Sequence, residues 1–439
     1  MSSERRDVLH NWCVQSHWDA PRVVGGQGAR FFLEDGRAIL DMSSQAECCN
    51  LGHQHPRVVA AIRAQAEGLC YVSNAWGAGP RAELASRLLR LSGFTGGRVF
   101  FTLGGADANE HAVKFARLAI GRPDGLIITR VRSYHGASYM GMALSGDART
   151  AGQVDVEAFG VRHVPPPDTY RSRARAEDCG AQAAALVARA IGEAAGEVAA
   201  VMFEPNAGTN GVVAPDSYWP AVRSAAREAG VFLIADEVMS GFGRCGEWFA
   251  WQRHGEAGRP DIMTLAKGLT GAALPLGAVV LSAAVAERLD EKALPAGLTY
   301  GGHPLCCAAG VAALEAYEAE GLIERSRRLG GLMFAAVERM RARHRVIGDV
   351  RGGHGLFAVV ELVADRTSKA PLAVWPETPA ALTALVTAGL AEGVSFAVRG
   401  NLILLAPPLV IDEADLASGL DLLDRLIGRF LDSDVKARP

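Results

Sequence analysis

The stretch from residue 231 to residue 268, VFLIADEVMSGFGRCGEWFAWQRHGEAGRPDIMTLAKG, limits the possible folds most sharply. Its first five residues, 231–235, are apolar without alternation, the pattern of a strand covered on both faces. The run stops on two carboxylates, Asp236 and Glu237. Strands of this kind belong to parallel α/β sheets, which gather chemistry at the carboxyl ends of their strands. The same order of strand, small or polar turn and helix recurs. Residues 99–102 run into LGGADANEHAVKFARLAIGR, residues 126–129 into RVRSYHG, and residues 199–203 into EPNAGTNG. Residues 275–281 read as a further strand. Polar residues at matching strand ends imply one mostly parallel α/β sheet flanked by helices.

Lys267 follows Asp236 by 31 residues and is framed by Leu265, Ala266, Gly268 and Leu269. Burial disfavours the charged form, so such a lysine is expected to have a depressed pKa. A neutral amine is what Schiff-base chemistry needs. An acid and a lysine at one sheet edge suggest pyridoxal phosphate, which takes a lysine Schiff base and an acid beside its pyridine nitrogen. The plainer alternative is a strand-end acid capping a loop and an unrelated lysine reaching out from a helix.

Composition narrows the rest. A chain of 439 residues is too long for one simple core. Its formal net charge of −3 gives no electrostatic case for nucleic acid or an anionic membrane. The N-terminus MSSERRDVLHNW lacks the apolar segment of a secretory signal, and no run long enough for a transmembrane helix occurs. Eight cysteines, including the adjacent pairs Cys48–Cys49 and Cys306–Cys307, form no metal-binding spacing and are expected as reduced thiols in a cytoplasmic protein. The pair His53 and His55 has no third ligand at usable spacing, so no metal is expected. With only five lysines in the chain, Lys267 stands out.

Around the central strand, residues 28–42 read as a hairpin turning at Asp35-Gly36, and Pro56 starts a helix. Gly104, Gly105 and Ala106 let the backbone approach an anion at a helix N-terminus, a phosphate-cup pattern. Tyr134 and His135 follow a strand end, where an aromatic ring can stack on a planar cofactor. Glu204 ends another strand, and Thr299 precedes a long helix from about Pro304. Trp12 and Trp18 lie in an N-terminal arm that packs in the core, at the site mouth or on a second subunit. Three divisions are expected: 1–60 as arm and part of a small domain, 61–325 as a large cofactor-binding domain, and 326–439 as a smaller α+β domain.

Taken in order, SSQAECCNLGHQHP, GGADANEHAVKFAR, SYHGAS, FEPNAGTNG, ADEVMSGFGRCGEWFA, PDIMTLAKG and GLTYGGHPLCCAA resemble the class III, or ω-type, pyridoxal-phosphate aminotransferases of fold type I. Within that class they most resemble the taurine–2-oxoglutarate type. The resemblance implies a seven-stranded, mostly parallel sheet in the large domain and a homodimer or higher oligomer with shared sites. It implies amine and 2-oxo acid substrates and a ping-pong reaction through an internal aldimine on Lys267. It also implies roles for matching positions. Asp236 would bind the pyridine nitrogen, Val238 and Tyr134 would flank the ring, and Gly105 and Ala106 would hold the phosphate. His135 and Glu204 would line the site, and Thr299 would reach the neighbouring subunit's phosphate. Trp18 would lie near the substrate.

Two positions depart from the family's pattern. Ala106 stands where many members carry a hydroxyl, so the backbone amides and Thr299 must suffice. Ala397 stands where many carry a mobile arginine that clasps a substrate carboxylate. Arg399 is the nearest substitute, and strand alternation either turns it inward toward a carboxylate or sulfonate or leaves it in solvent. The same lysine and aspartate would also serve a mutase, racemase or decarboxylase on this scaffold.

Overall fold

In the computed structural model, which describes residues 3–194, 196–291 and 293–432, the apolar runs assemble into one seven-stranded sheet. Its strands are Arg98–Thr102 (β1), Leu126–Arg130 (β2), Val161–Val164 (β3), Val198–Phe203 (β4), Phe232–Asp236 (β5), Ile262–Leu265 (β6) and Gly277–Leu281 (β7). They lie in the order β1-β7-β6-β5-β4-β2-β3. Neighbouring strands run parallel except at β7, which is antiparallel to both β6 and β1. The reversal has a plain cause. The chain between Leu265 and Gly277 holds one short turn, Lys267–Leu269, and no crossover helix, whereas a parallel connection needs a dozen or more residues that are usually helical.

Every residue of β5 is buried, as an unalternated apolar strand requires. Its side chains still divide between two cores by the period of two. Leu233 and Ala235 join the larger core, while Phe232 and Ile234 join the core under the helix Gly105–Ile120 (α1). Asp236 therefore emerges on the α1 side of the sheet and Glu237 on the other.

The helices Pro304–Ala319 (α2) and Leu322–Arg343 (α3) lead to a second, antiparallel sheet. This sheet comprises Ile347–Gly352 (β8), Ala358–Asp365 (β9), Ala397–Arg399 (β10) and Leu402–Leu405 (β11), with Ala370–Pro371 paired to β9. α3 packs on it, and the last helix, Glu413–Phe430 (α4), packs on α3. The hairpin Arg30–Leu33 and Ala38–Asp41 turns at Gly36, whose φ of +87° suits glycine. Val394–Ser395 adds to this hairpin in parallel, so the first strands join the last third of the chain. Residues 1–2 and 433–439 of the expected divisions lie outside the described residues.

Two strands of the seven-stranded sheet escape the reading by periodicity. β3 is an edge strand of only four residues, two of them polar. β6 is equally short and merges into the lysine segment. Among the described residues no helix is long and apolar enough to cross a membrane.

Candidate active site

The carboxyl end of β5 delivers Asp236 into a closely satisfied set of donors. Its Oδ2 accepts from Asn109 Nδ2 at 2.8 Å and lies 2.7 Å from His135 Nδ1. Its Oδ1 accepts from the main-chain N–H of Val238 at 3.0 Å. Asn109 is itself fixed, donating to the His135 carbonyl at 2.9 Å and accepting from Thr264 Oγ1 at 2.7 Å. His135, expected to line the site, does so as a buried ring with its edge on Asp236. Asn109 was missed by the sequence reading. Its only signal was an amide one turn into a helix that starts at a glycine turn.

Lys267 leaves the end of β6 with a φ of +41°, an uncommon value for a residue with a side chain. Its Nζ donates to Glu47 Oε2 at 3.0 Å. Glu47 is only 3% exposed. The expectation of a depressed lysine pKa is therefore overturned. Burial is the largest single influence and pulls it down, but the Glu47 carboxylate, Cys48 and Asp236 together outweigh burial and the net direction is up. Sequence reasoning gave Glu47 no role; its signal was one acid within a run of small residues and cysteines.

Asp236 and Lys267 share a cavity of about 550 Å³. The N-terminus of the 16-residue α1 opens into it at Gly104, Gly105 and Ala106, and its first turn leaves N–H groups free. A Cβ on Gly105 would stand 2.9 Å from Val238 Cγ1, so glycine is what lets the helix start reach the wall formed by Val238. Tyr134 also lines the cavity, and its main-chain N–H donates to Glu204 Oε2 at 3.2 Å. Burial pushes the Glu204 carboxyl up to about 7, although Arg130 lies 3.9 Å away. Burial does the same to Glu237, behind β5, which accepts from Trp251 N–H at 2.9 Å.

Trp18 and Arg399 are not among the residues lining this cavity, nor is Thr299, which was expected at a neighbouring subunit's phosphate. Thr299 is exposed, and its carbonyl accepts from Tyr71 Oη at 2.8 Å. Trp18 stacks on His10 at 3.6 Å; Trp12 instead approaches Tyr134, edge-on at 6.1 Å. Arg399 shares a strand face with Ala397, which packs in the cluster containing the cavity residue Met239. Its Nη1 donates to the Val398 carbonyl at 2.9 Å, and its buried Nε has no partner. The histidines of the H-x-H pair diverge, His53 toward Asp41 and His55 toward Glu320.

The residues fit pyridoxal phosphate. A carboxylate offers about four lone-pair sites, and the three donors on Asp236 leave room for one more N–H. The α1 N-terminus suits a phosphate, and its glycine leaves no side chain in the way.

Comparison with known proteins gives the same answer from a different direction. The family profile described as Aminotransferase class-III matches residues 15–427. A diaminobutyrate–2-oxoglutarate transaminase of Halomonas elongata is 32% identical over 95% of this chain and 92% of that protein. A leucine/methionine racemase of Thermococcus litoralis is 34% identical over 93% of this chain and 91% of its own length. Among solved structures, a taurine:2-oxoglutarate aminotransferase from Bifidobacterium kashiwanohense, in complex with PLP and glutamate, superposes with a TM-score of 0.91. It is 32% identical, over 98% of this chain and 97% of that one.

Proposed function

The chain belongs to the class III aminotransferases, pyridoxal-phosphate enzymes of fold type I, and from that premise we propose that it moves an amino group from a terminal amine donor to a 2-oxo acid in two half-reactions. The observation that carries this reading is the meeting of Asp236, Lys267 and the α1 N-terminus on one cavity. When bound, the cofactor supplies an electron sink that stabilises a carbanion next to nitrogen.

The protein's own residues do the rest. The Asp236 carboxylate, held by Asn109, His135 and the Val238 N–H, keeps a negative charge where a ring N–H must stay protonated. The Lys267 amine would hold the cofactor and, when free, would serve as the general base and acid. The amides of Gly105 and Ala106 bind phosphate, Tyr134 and Val238 close the two faces of the ring, and Glu204 borders the substrate side. Thr299, exposed in one chain, completes the phosphate site of a second copy, so the working unit is a homodimer or larger. Arg399, outside the cavity lining but with a buried, unpartnered Nε, is the residue we assign to the substrate's acidic group. We place the enzyme in the cytoplasm, in keeping with its eight free thiols.

A racemase reading draws support from the Thermococcus litoralis relative, because racemisation uses the same lysine and aspartate. One experiment separates the two. The purified protein is incubated with amine donors and pyruvate or 2-oxoglutarate, and products are followed by mass spectrometry. A transaminase forms new carbonyl product and new amino acid in equal amounts. Inversion of an amino acid without an acceptor would reject the proposal in favour of a racemase. Absence of any borohydride-fixed cofactor at Lys267 would reject both.

A further inference from the structure

The loop between Asp41 and Pro56 is built around a carboxylate that the reaction as described does not use. Ser44, Gln45 and Glu47 all have positive φ, between 51° and 55°, in a segment with no glycine at those positions. Three side chains with such backbone angles in four residues do not persist unless their surroundings hold them. Here the surroundings do. Asp41 Oδ1 accepts from the Ser43 N–H at 3.0 Å. Ser44 Oγ donates to the Ala406 carbonyl at 2.7 Å. The buried Arg244 guanidinium donates to Ser44 Oγ at 2.9 Å and to Asn50 Oδ1 at 2.8 Å. The product of this bracing is one carboxylate, buried, with Oε2 placed 3.0 Å from the amine of Lys267.

We propose that Glu47 is a positioning residue of the reaction, which holds the Lys267 amine in direction and in protonation whenever that amine is not bonded to the cofactor. The inference rests on the reading of Lys267 as the reactive amine. A buried carboxylate this close stabilises the ammonium form. Release of the amine for bond formation is then a local proton transfer. An Nζ–H bond breaks, an Oε2–H bond forms, and the electron pair stays on nitrogen as the nucleophile. Nothing is oxidised or reduced. The lysine displaced by an incoming donor returns to the same carboxylate, so it re-forms beside the group that last held its proton. Other titratable groups face the pair. Cys48, Asp236 and the Tyr134 phenol lie around Lys267, and Arg244, Asp41 and Cys48 lie around Glu47. All of them are retained in the variants below, so the pair itself is what changes.

The test uses the apo form of the full-length protein and does not depend on turnover. Pyridoxal phosphate is added at a series of pH values, and the rate of Schiff-base absorbance is recorded; borohydride and peptide mass spectrometry locate the adduct. In wild type the rate rises with pH as the Lys267 ammonium loses its proton. In Glu47→Gln, which keeps the shape and removes the charge, the midpoint is expected to fall by about one to three pH units with the high-pH plateau retained. Glu47→Asp, with its carboxylate set back by one methylene, should fall between the two. An unchanged midpoint in Glu47→Gln overturns the inference. Should that variant not fold, an unchanged midpoint in Glu47→Asp overturns it equally. A protein that forms no adduct at Lys267 in any variant would instead overturn the proposed function.

Discussion

Substituting Gly105 by Ala tests how the helix start and the cavity wall fit together. The new Cβ would lie 2.9 Å from Val238 Cγ1 and 3.2 Å from Cγ2, so one of the two must give way by several tenths of an ångström. Overpacking of this kind costs about 1–3 kcal/mol. Replacing glycine by alanine in a helix returns about 1 kcal/mol, so the apo protein should lose little stability. The displacement falls on Val238, however, which forms the cavity wall. Pyridoxal phosphate should therefore bind about tenfold more weakly, the equivalent of about 1.4 kcal/mol. Val238→Ala alone removes two methyl groups from a half-buried site and should cost no more than about 1.6 kcal/mol of stability. The double variant should recover most of the cofactor affinity, giving a coupling of at least about 1 kcal/mol. Spectrophotometric titration with the cofactor and thermal unfolding of each apo protein supply the four corners of the cycle. Additivity within about 0.5 kcal/mol would refute the steric argument, as would an unchanged dissociation constant in Gly105→Ala.

Asp236→Asn places an amide nitrogen against a donor in either orientation, because both oxygens of Asp236 accept hydrogen bonds. It should destabilise the protein by about 1–3 kcal/mol and slow turnover by about a hundredfold or more; thermal unfolding and steady-state assay check the two effects. Glu204 has its pKa raised from 4.5 to about 7, so the folded state binds the extra proton between those values and stability falls as pH rises through them. Glu204→Gln should flatten that slope, by up to about 3 kcal/mol across the window, leaving the similar contribution of Glu237; urea midpoints from pH 4 to 8 would reveal it, and an unchanged slope would contradict it. Arg399→Ala should raise KM for donors bearing a carboxylate or sulfonate by about tenfold or more while sparing simple amines, and an equal effect on both would place Arg399 outside substrate recognition.

Much of this arrangement was legible in the residues themselves. The unalternated run 231–235 announced a strand with two cores against it, and Asp236 and Lys267 lie on one cavity, as their contexts suggested. Helix α4 begins and ends where its period-3.6 pattern does. What stayed hidden depends on contacts between distant segments. Glu47 sits 220 positions before the lysine that it touches, and no local pattern links the two. Asn109 reads as one polar residue in a helix until β5 and the turn after β2 place Asp236 and His135 around it. The lysine pKa failed for the same reason: its apolar sequence neighbours said burial, while its partner in space came from elsewhere. β7 runs antiparallel because a loop is too short, which is a matter of length and not of residue type.

The place of β1 in the sheet has a consequence for how the enzyme is made. Among the described residues β1 pairs with the sheet only through β7, whose Gly277 passes so close beneath the turn after β1 that a Cβ there would lie 2.4 Å from the Gly104 carbonyl. During synthesis, then, β1 is translated early but has no strand to pair with until Leu281 has left the ribosome. A nascent chain halted before that point would carry Asp236 on a paired strand yet leave β1 outside the sheet.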